Sequence, residues 1–174
     1  MKIILLGYMA SGKTSIGKKL AKRLNLSFID LDDYIAEQEN LSISEIFKEK
    51  GEIYFRKKEA HYLNELLKND KSYILALGGG TPCYANNIKL INQFATSFYL
   101  KRSLKNTYNK LSKLKNKIKR PMIATISNAD LKEFIAKHLF ERAPYYEQAS
   151  ITIVVDGKTK KEVSKEISEK IKAN

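Results

Sequence analysis

The sequence is short of cysteine and of long apolar runs, and each shortage excludes a class of protein. Its one cysteine, Cys83, cannot form an internal disulfide, which fits a reducing compartment. No apolar stretch approaches the roughly 20 residues that span a bilayer. The apolar run near the N-terminus is too short for a signal peptide and leads directly into a glycine-bracketed loop. We therefore expect a cytoplasmic protein without a membrane span.

Acidic residues are also scarce, since 19 of them face 32 lysines and arginines and leave a net charge of +13. Nine of the basic residues, and no acid, lie in residues 101–120. A basic protein can bind nucleic acid or small anions. Confinement of the charge to one segment, without an aromatic stacking array or a nucleic-acid-reading motif, favours small anions.

No internal repeat and no linker of biased composition divides the chain, so we predict one domain, residues 1–174. Short β-like runs alternate with helical patterns, which predicts a parallel sheet between two helix layers, a three-layer α/β/α fold. The predicted strands are Lys2–Leu6, Ser27–Leu31, Tyr73–Leu77, Ser97–Leu100 and Ile151–Val155. In open sheets of this kind, ligands bind beyond the carboxyl ends of the strands.

Two helix boundaries carry specific expectations. The patterns Ser42–Lys50 and Glu52–Leu67 predict helices that meet at Gly51, a residue suited to a helix end. The pattern Ala129–Glu141 predicts another helix, and residues 142–146 are expected to form a turn into a further short helix.

The stretch Gly7–Thr14 fits the pattern G-x-x-x-x-G-K-[ST] of a phosphate-binding loop. An apolar run precedes it and a helical pattern follows, which is the context that the motif requires. Backbone N–H groups of such a loop point at phosphates, and the helix N-terminus adds partial positive charge. Lys13 would reach the β- and γ-phosphates, and the Thr14 hydroxyl would hold Mg²⁺. The chain is therefore predicted to bind a nucleoside triphosphate.

Two carboxylates, Asp30 and Asp32, end the second predicted strand. Their spacing would place both on one face of that strand, close to the phosphate-binding loop. One could support Mg²⁺, and the other could accept a hydrogen bond or a proton from an attacking hydroxyl. The neighbouring Asp33 is expected to cap the next helix instead.

Glycine and arginine mark the remaining candidate positions. Three consecutive glycines, Gly78–Gly80, follow a buried strand and suggest backbone packed against a ligand. Only five of the 32 basic residues are arginines. Arg56 and Arg142 are therefore candidates for two-pronged binding of a carboxylate or phosphate, whereas Arg23 and Arg102 suit surface ion pairs.

In this order, the motifs resemble those of the shikimate kinase family along nearly the whole chain. The matching pieces are Gly7–Thr14, Asp30–Asp32, Gly51 with Phe55-Arg56, Gly78–Gly80, Arg120-Pro121 and Arg142–Tyr145. The resemblance implies a P-loop fold like that of nucleoside monophosphate kinases, with five parallel strands and a mobile lid at about residues 110–125. It also implies transfer of the ATP γ-phosphoryl group to the 3-hydroxyl of shikimate, on the pathway to aromatic amino acids.

The same resemblance assigns residues to each ligand. ATP would contact Ala10, Ser11, Gly12, Lys13, Thr14, Ser15, Lys113 and Arg120. Shikimate would contact Asp32, Arg56, Gly78, Gly79, Gly80 and Arg142. Thr14 and Asp30 would serve Mg²⁺, while Lys13, Asp32 and Arg120 would carry the catalysis, with Arg120 supplied by the lid. Lys113 stands where family members commonly have an arginine stacked near adenine, and the backbone of 156–158 is expected near adenine as well.

Two other functions compete with this interpretation. A related small-molecule or nucleoside monophosphate kinase would share the loop and the lid, but it does not predict the aspartate pair, the glycine run and both arginines together. A basic nucleic-acid-binding NTPase would explain the charge but lacks a reader motif. We expect ATP and shikimate as the ligands of a monomer, with neither nucleic acid nor a membrane as a partner.

Overall fold

The computed structural model describes residues 1–113 and 121–173, and within them five parallel strands form one sheet in the order β2-β3-β1-β4-β5. The strands are β1 Lys2–Leu6, β2 Ser27–Asp30, β3 Tyr73–Ala76, β4 Thr96–Lys101 and β5 Ile151–Val154. All four strand pairings are parallel, as helical crossovers require. This sheet and its flanking helices confirm the predicted α/β fold.

The helices lie on both faces of the sheet. Their bounds are α1 Lys13–Leu24, α2 Leu31–Glu39, α3 Ile43–Lys68, α4 Asn87–Phe94, α5 Leu104–Leu111, α6 Pro121–Ala124, α7 Asn128–Tyr146 and α8 Lys160–Ala173, with a 3₁₀ turn at Thr81–Cys83. Within the described ranges, no helix has the length and apolar character needed to cross a membrane.

The central strand β1 divides the core into two layers. Ile3 and Leu5 pack with apolar residues of α1 and α8, whereas Ile4 and Leu6 pack with those of α3 and α7. All four side chains are fully buried. Because β1 is covered on both faces, its carboxyl end is held firmly where the phosphate-binding loop begins.

The aspartate pair does not share a strand face, and this prediction was wrong. Strand β2 ends at Asp30, which is the N-cap of α2 and accepts a hydrogen bond from the backbone N–H of Asp32 at 3.3 Å. That bond turns the chain into a helix, so Asp32 lies in the first helical turn. Asp30 therefore does the capping that was expected of Asp33.

Helix α3 is kinked at Gly51, whose backbone angles of φ 82° and ψ 171° are not helical. The predicted meeting of two helical segments at this glycine is therefore confirmed.

The predicted turn at residues 142–146 was wrong, because α7 continues through Pro144 to Tyr146. A proline in a helix leaves the carbonyl four residues earlier without its helical partner. That carbonyl belongs to Phe140, which lies on the exposed side of the helix. The helix nevertheless continues past Pro144, so Arg142 is held on a helix rather than in a turn.

Candidate active site

A cavity of about 480 Å³ opens at the carboxyl ends of β1, β2 and β3. Predicted ligand residues that line it are Ala10, Gly12, Lys13, Thr14, Ser15, Asp30, Asp32, Gly78 and Gly79. Ser11 is buried within the loop beneath it, and its hydroxyl has no hydrogen-bond partner among the described residues. Residues from three distant parts of the chain thus meet at the edge where ligands of such sheets bind.

The phosphate-binding loop owes its shape to two glycines. Gly7 has a φ of 141°, and a Cβ there would lie 2.9 Å from the carbonyl oxygen of Leu100. Gly12 has a φ of 105° and begins α1. The Lys13 ammonium donates hydrogen bonds to the carbonyls of Gly7 at 2.8 Å and Tyr8 at 3.1 Å, so its charge is held across the loop.

Thr14 and Asp30 bring two oxygens together beside the loop. The Thr14 hydroxyl donates to Asp30 Oδ2 at 2.8 Å, while Asp30 Oδ1 accepts from the N–H of Asp32. A hydroxyl and a carboxylate in contact form the kind of oxygen pair that can serve a hard divalent cation.

Asp32 is the site's most perturbed carboxyl group. Burial raises its pKa from 3.8 to about 6, and the negative charges of Asp30 and Glu59 add to this, against the opposing charge of Lys13. A Cβ on Gly78 would lie only 3.1 Å from Asp32 Oδ1. The glycine therefore leaves room for this carboxyl group, which remains mostly ionised at neutral pH.

Arg56 lies so close to the glycine run that a Cβ on Gly80 would have to displace its guanidinium group. A Cβ on Gly80 would meet Arg56 Nη2 at 2.7 Å. Arg56 Nη1 donates to Glu59 Oε2 at 2.8 Å, and Glu59 Oε1 accepts from the Thr81 hydroxyl at 2.6 Å. Sequence reasoning missed Glu59, although its position one helical turn after Arg56 is a signal that could have indicated an ion pair.

Arg142 approaches the same run from α7. Its Nη1 lies 3.4 Å from the position that a Cβ on Gly79 would take. The hydroxyl of the buried Tyr146 donates to the Gly79 carbonyl at 2.6 Å and so fastens the glycine run to α7. Tyr146 was also missed, because a tyrosine within a predicted turn carries no distinctive pattern. The two predicted arginines thus converge on one glycine segment.

On the nucleotide side, the structure brings Lys110 to the loop. Lys110 lines the cavity and donates to the Ala10 carbonyl at 2.9 Å. Lys113, which the resemblance placed near adenine, is exposed and does not line the cavity. Arg120 and residues 114–119 of the predicted lid lie outside the described residues. Asp156, at the turn expected near adenine, accepts from the Ser103 N–H at 2.8 Å.

Comparison with known proteins identifies this arrangement. The family model of shikimate kinases matches residues 9–172. The chain belongs to the shikimate kinase family. A shikimate kinase of Flavobacterium psychrophilum is 47% identical over 167 residues, covering 95% of this chain and 96% of that protein.

Solved structures of shikimate kinases agree with the fold. The crystal structure of shikimate kinase from Bacteroides thetaiotaomicron has a TM-score of 0.89 and 31% identity, covering 99% of this chain and 98% of the other. Shikimate kinase from Acinetobacter baumannii, solved in complex with shikimate, has a TM-score of 0.87 and 30% identity, covering 99% and 93%.

Membership in the shikimate kinase family establishes the activity. The protein is a kinase that phosphorylates shikimate with ATP in the shikimate pathway. The resemblance inferred from the motifs is confirmed. These matches favour it over the alternative of a related small-molecule or nucleoside monophosphate kinase.

Proposed function

We propose that the cavity is a two-ligand active site, in which ATP lies along the phosphate-binding loop and shikimate lies between Asp32 and the two arginines. The observation that carries this proposal is the position of Asp32. It shares the cavity with Lys13 and borders Gly78, whose neighbours Gly79 and Gly80 contact Arg142 and Arg56. One carboxylate thus lies between a phosphate-binding and a carboxylate-binding group.

The proposed reaction moves the γ-phosphoryl group from ATP to the 3-hydroxyl oxygen of shikimate. A new P–O bond forms at that oxygen, and the bond to the β-phosphate oxygen breaks. Asp32 orients the hydroxyl and accepts its proton, a task suited to a carboxylate whose pKa of about 6 lies near neutral pH. Lys13 neutralises charge on the transferred group and on the leaving phosphate, which is the main contribution of a protein to phosphoryl transfer.

Mg²⁺ fits the donor set beside the loop. Thr14 would hold the ion and Asp30 would support it, directly or through water, because their oxygens are already 2.8 Å apart. In the proposed site the ion would be shared with ATP. No group of three or more histidine, cysteine or carboxylate side chains suitable for a metal occurs among residues 1–113 and 121–173. When bound, Mg²⁺ would supply neutralisation of phosphate charge during the transfer.

Two arginines suit the single carboxylate of shikimate. Arg56 and Arg142 approach from different helices and present planar guanidinium groups at the glycine run. Backbone N–H groups of Gly78–Gly80 would approach the ring closely, since no side chain intervenes. Lys110 is added to the predicted ATP ligands because it lines the nucleotide side of the cavity. The ATP contacts of Lys113 and Arg120, and the catalytic role of Arg120, stay predictions.

All the groups named for the two ligands come from one chain, so a monomer is the simplest working form. A cytoplasmic location and the absence of a nucleic-acid partner stay predictions from the sequence. Strong salt dependence of any DNA binding, with no effect on turnover, would mark that binding as non-specific charge attraction.

The test is ATP consumption measured with and without shikimate, alongside gluconate and nucleoside monophosphates as alternative acceptors. We expect turnover that depends strongly on shikimate, with phosphorus NMR placing the new ester on the 3-oxygen. An Arg23→Ala variant serves as the control for loss of a basic residue, because Arg23 is exposed on α1, and it should retain normal turnover. Equal ADP release without shikimate would disprove the assignment of the acceptor site.

A further inference from the structure

Glu39 is the last residue of α2, and its side chain is only 6% exposed. Its Oε2 accepts from the Tyr54 hydroxyl at 2.5 Å, and its Oε1 accepts from the Tyr62 hydroxyl at 2.6 Å. The ammonium groups of Lys58 and Lys50 lie 2.9 and 3.6 Å from the same carboxylate. We refer to these five side chains as the Glu39 clasp. One carboxylate at the end of α2 therefore binds four groups of α3.

Stabilisation of α2 does not explain this position. A negative charge at the C-terminus of a helix opposes the helix dipole, and the last turn of α2 contains no basic residue to offset it. Hydrogen bonds from Tyr54, Tyr62 and Lys58 lower the pKa of Glu39 to about 2, so it is fully ionised at neutral pH. The position of the Glu39 carboxylate is thus explained by its contacts with α3 and not by stabilisation of α2.

Three members of the clasp form a stripe along α3. Tyr54, Lys58 and Tyr62 are four residues apart and therefore lie on one face of the helix after the kink at Gly51. Arg56 falls two residues after Tyr54, about 200° around the helix, on a different face. Holding the stripe against Glu39 thus fixes the rotation that aims Arg56 at Gly80.

The kink is the reason that such a constraint is needed. Among residues 1–113 and 121–173, and leaving aside the adjoining chain, no heavy atom lies within 4 Å of the position that a Cβ on Gly51 would take, so no side chain packed at that point sets the bend. Lys50 precedes the kink and Tyr54 follows it, and both contact Glu39. The clasp therefore spans the bend. Tyr34 of α2 adds a hydrogen bond to Glu65 at 3.1 Å on the same side.

We propose that Glu39 is a positioning residue that sets shikimate affinity by fixing the orientation of Arg56. This inference rests on the proposed function, in which Arg56 binds the shikimate carboxylate. Glu39 itself touches neither ligand in this scheme. Its effect should therefore fall on the acceptor and spare ATP.

The test compares Glu39→Gln with Glu37→Gln, an exposed glutamate on the same helix outside the clasp. Glutamine keeps the size of Glu39 but lacks the negative charge and one of the two acceptor oxygens that bind the two hydroxyls and two ammonium groups. We expect KM for shikimate to rise about tenfold, with KM for ATP changed less than about twofold. Glu37→Gln should leave both values unchanged. Tyr54→Phe, which retains the ring, should raise KM for shikimate about threefold and covers the case in which Glu39→Gln does not fold.

A double variant separates positioning from general stability. If Glu39 acts through Arg56, then Glu39→Gln should add little to the raised shikimate KM of Arg56→Lys. Additive effects, or equal increases in KM for shikimate and ATP, would overturn the proposal. Unchanged shikimate KM in Glu39→Gln would overturn it while leaving the proposed function intact, since the wild-type enzyme would still need shikimate. Turnover of the wild-type enzyme without shikimate would instead overturn both the role of Glu39 and the proposed function.

Discussion

The two halves of the active site are built in different ways. On the donor side, the Lys13 ammonium is held by backbone carbonyls of Gly7 and Tyr8, within one short loop. On the acceptor side, Asp32, Arg56 and Arg142 come from three helices and meet through Glu59, Thr81 and the glycine run. The shape of the phosphate-binding loop thus depends on local backbone contacts, to which Asp30 and Lys110 add side chains from elsewhere, whereas acceptor binding depends throughout on side chains joined by tertiary contacts. The following predictions test this difference.

The largest effect is expected at Asp32, where the two halves meet. Asp32→Asn removes the proton acceptor while keeping the shape of the side chain, so we expect kcat to fall about 10²- to 10⁴-fold. ATP binding measured by calorimetry should change little. In the wild-type enzyme, kcat/KM for shikimate should fall as the pH drops through about 6, because protonation disables this carboxylate. A flat pH profile between 5 and 7 would contradict the proposed role.

The same substitution should stabilise the fold. The pKa of Asp32 is about 6 in the folded protein against a usual 3.8, so ionisation costs more in the folded state. This cost is absent below pH 4 and grows as the pH rises to 6. Asp32→Asn should therefore raise the free energy of unfolding by about 1–3 kcal/mol at pH 8, with the gain shrinking as the pH falls from 6 toward 4. Urea unfolding at pH 4 and pH 8 measures it.

Arg142→Ala should damage only the acceptor side. Arg142 is half-buried, and if bound shikimate buries the charged pair, loss of one partner costs about 2–5 kcal/mol, so the Kd for shikimate should rise about 30-fold to several thousand-fold. The Kd for ATP should stay within about threefold of the wild-type value, and the exposed Arg23→Ala variant should match wild type in both. Calorimetry showing unchanged shikimate affinity would remove Arg142 from the site.

The difference between the two halves also explains what the sequence could predict. The phosphate-binding loop and the sheet have local signals, namely a spaced motif and short apolar runs, and both predictions of fold and donor loop agree with the structure. The partners Glu59 and Tyr146 were missed because hydrogen bonds between distant segments leave no local pattern. Asp32 was placed on a strand because a two-residue spacing alone does not reveal an N-cap at Asp30.

A smaller effect is expected from the glycine run, where neighbouring positions can be compared. Gly80→Ala would place a Cβ 2.7 Å from Arg56 Nη2, whereas Gly79→Ala would place one 3.4 Å from Arg142 Nη1, an ordinary contact. Displacing Arg56 costs about 1–3 kcal/mol, so Gly80→Ala should raise KM for shikimate about 5- to 160-fold. Gly79→Ala should raise KM for shikimate less than Gly80→Ala does, and KM for ATP should be unchanged in both variants. The reverse order would mean that Arg56 does not depend on this contact.

The smallest predicted effect concerns the bond that joins the two halves. The hydroxyl of Tyr8, in the phosphate-binding loop, is hydrogen-bonded to His138 Nδ1 at 3.0 Å, one helical turn before Arg142. Tyr8→Phe removes this bond and keeps the ring, so the free energy of unfolding should fall by about 0.5–1.5 kcal/mol. Tyr84→Phe, at an exposed tyrosine, is the control.

Unlike the substitutions above, Tyr8→Phe should weaken the binding of ATP and of shikimate by similar small amounts. The reason is that it removes a contact between the phosphate-binding loop and α7, the helix that carries Arg142. Titration of each ligand with and without the other measures that shared effect. If only ATP affinity changed, the loop and α7 would be independent, and the separation between a local donor side and a tertiary acceptor side would be complete.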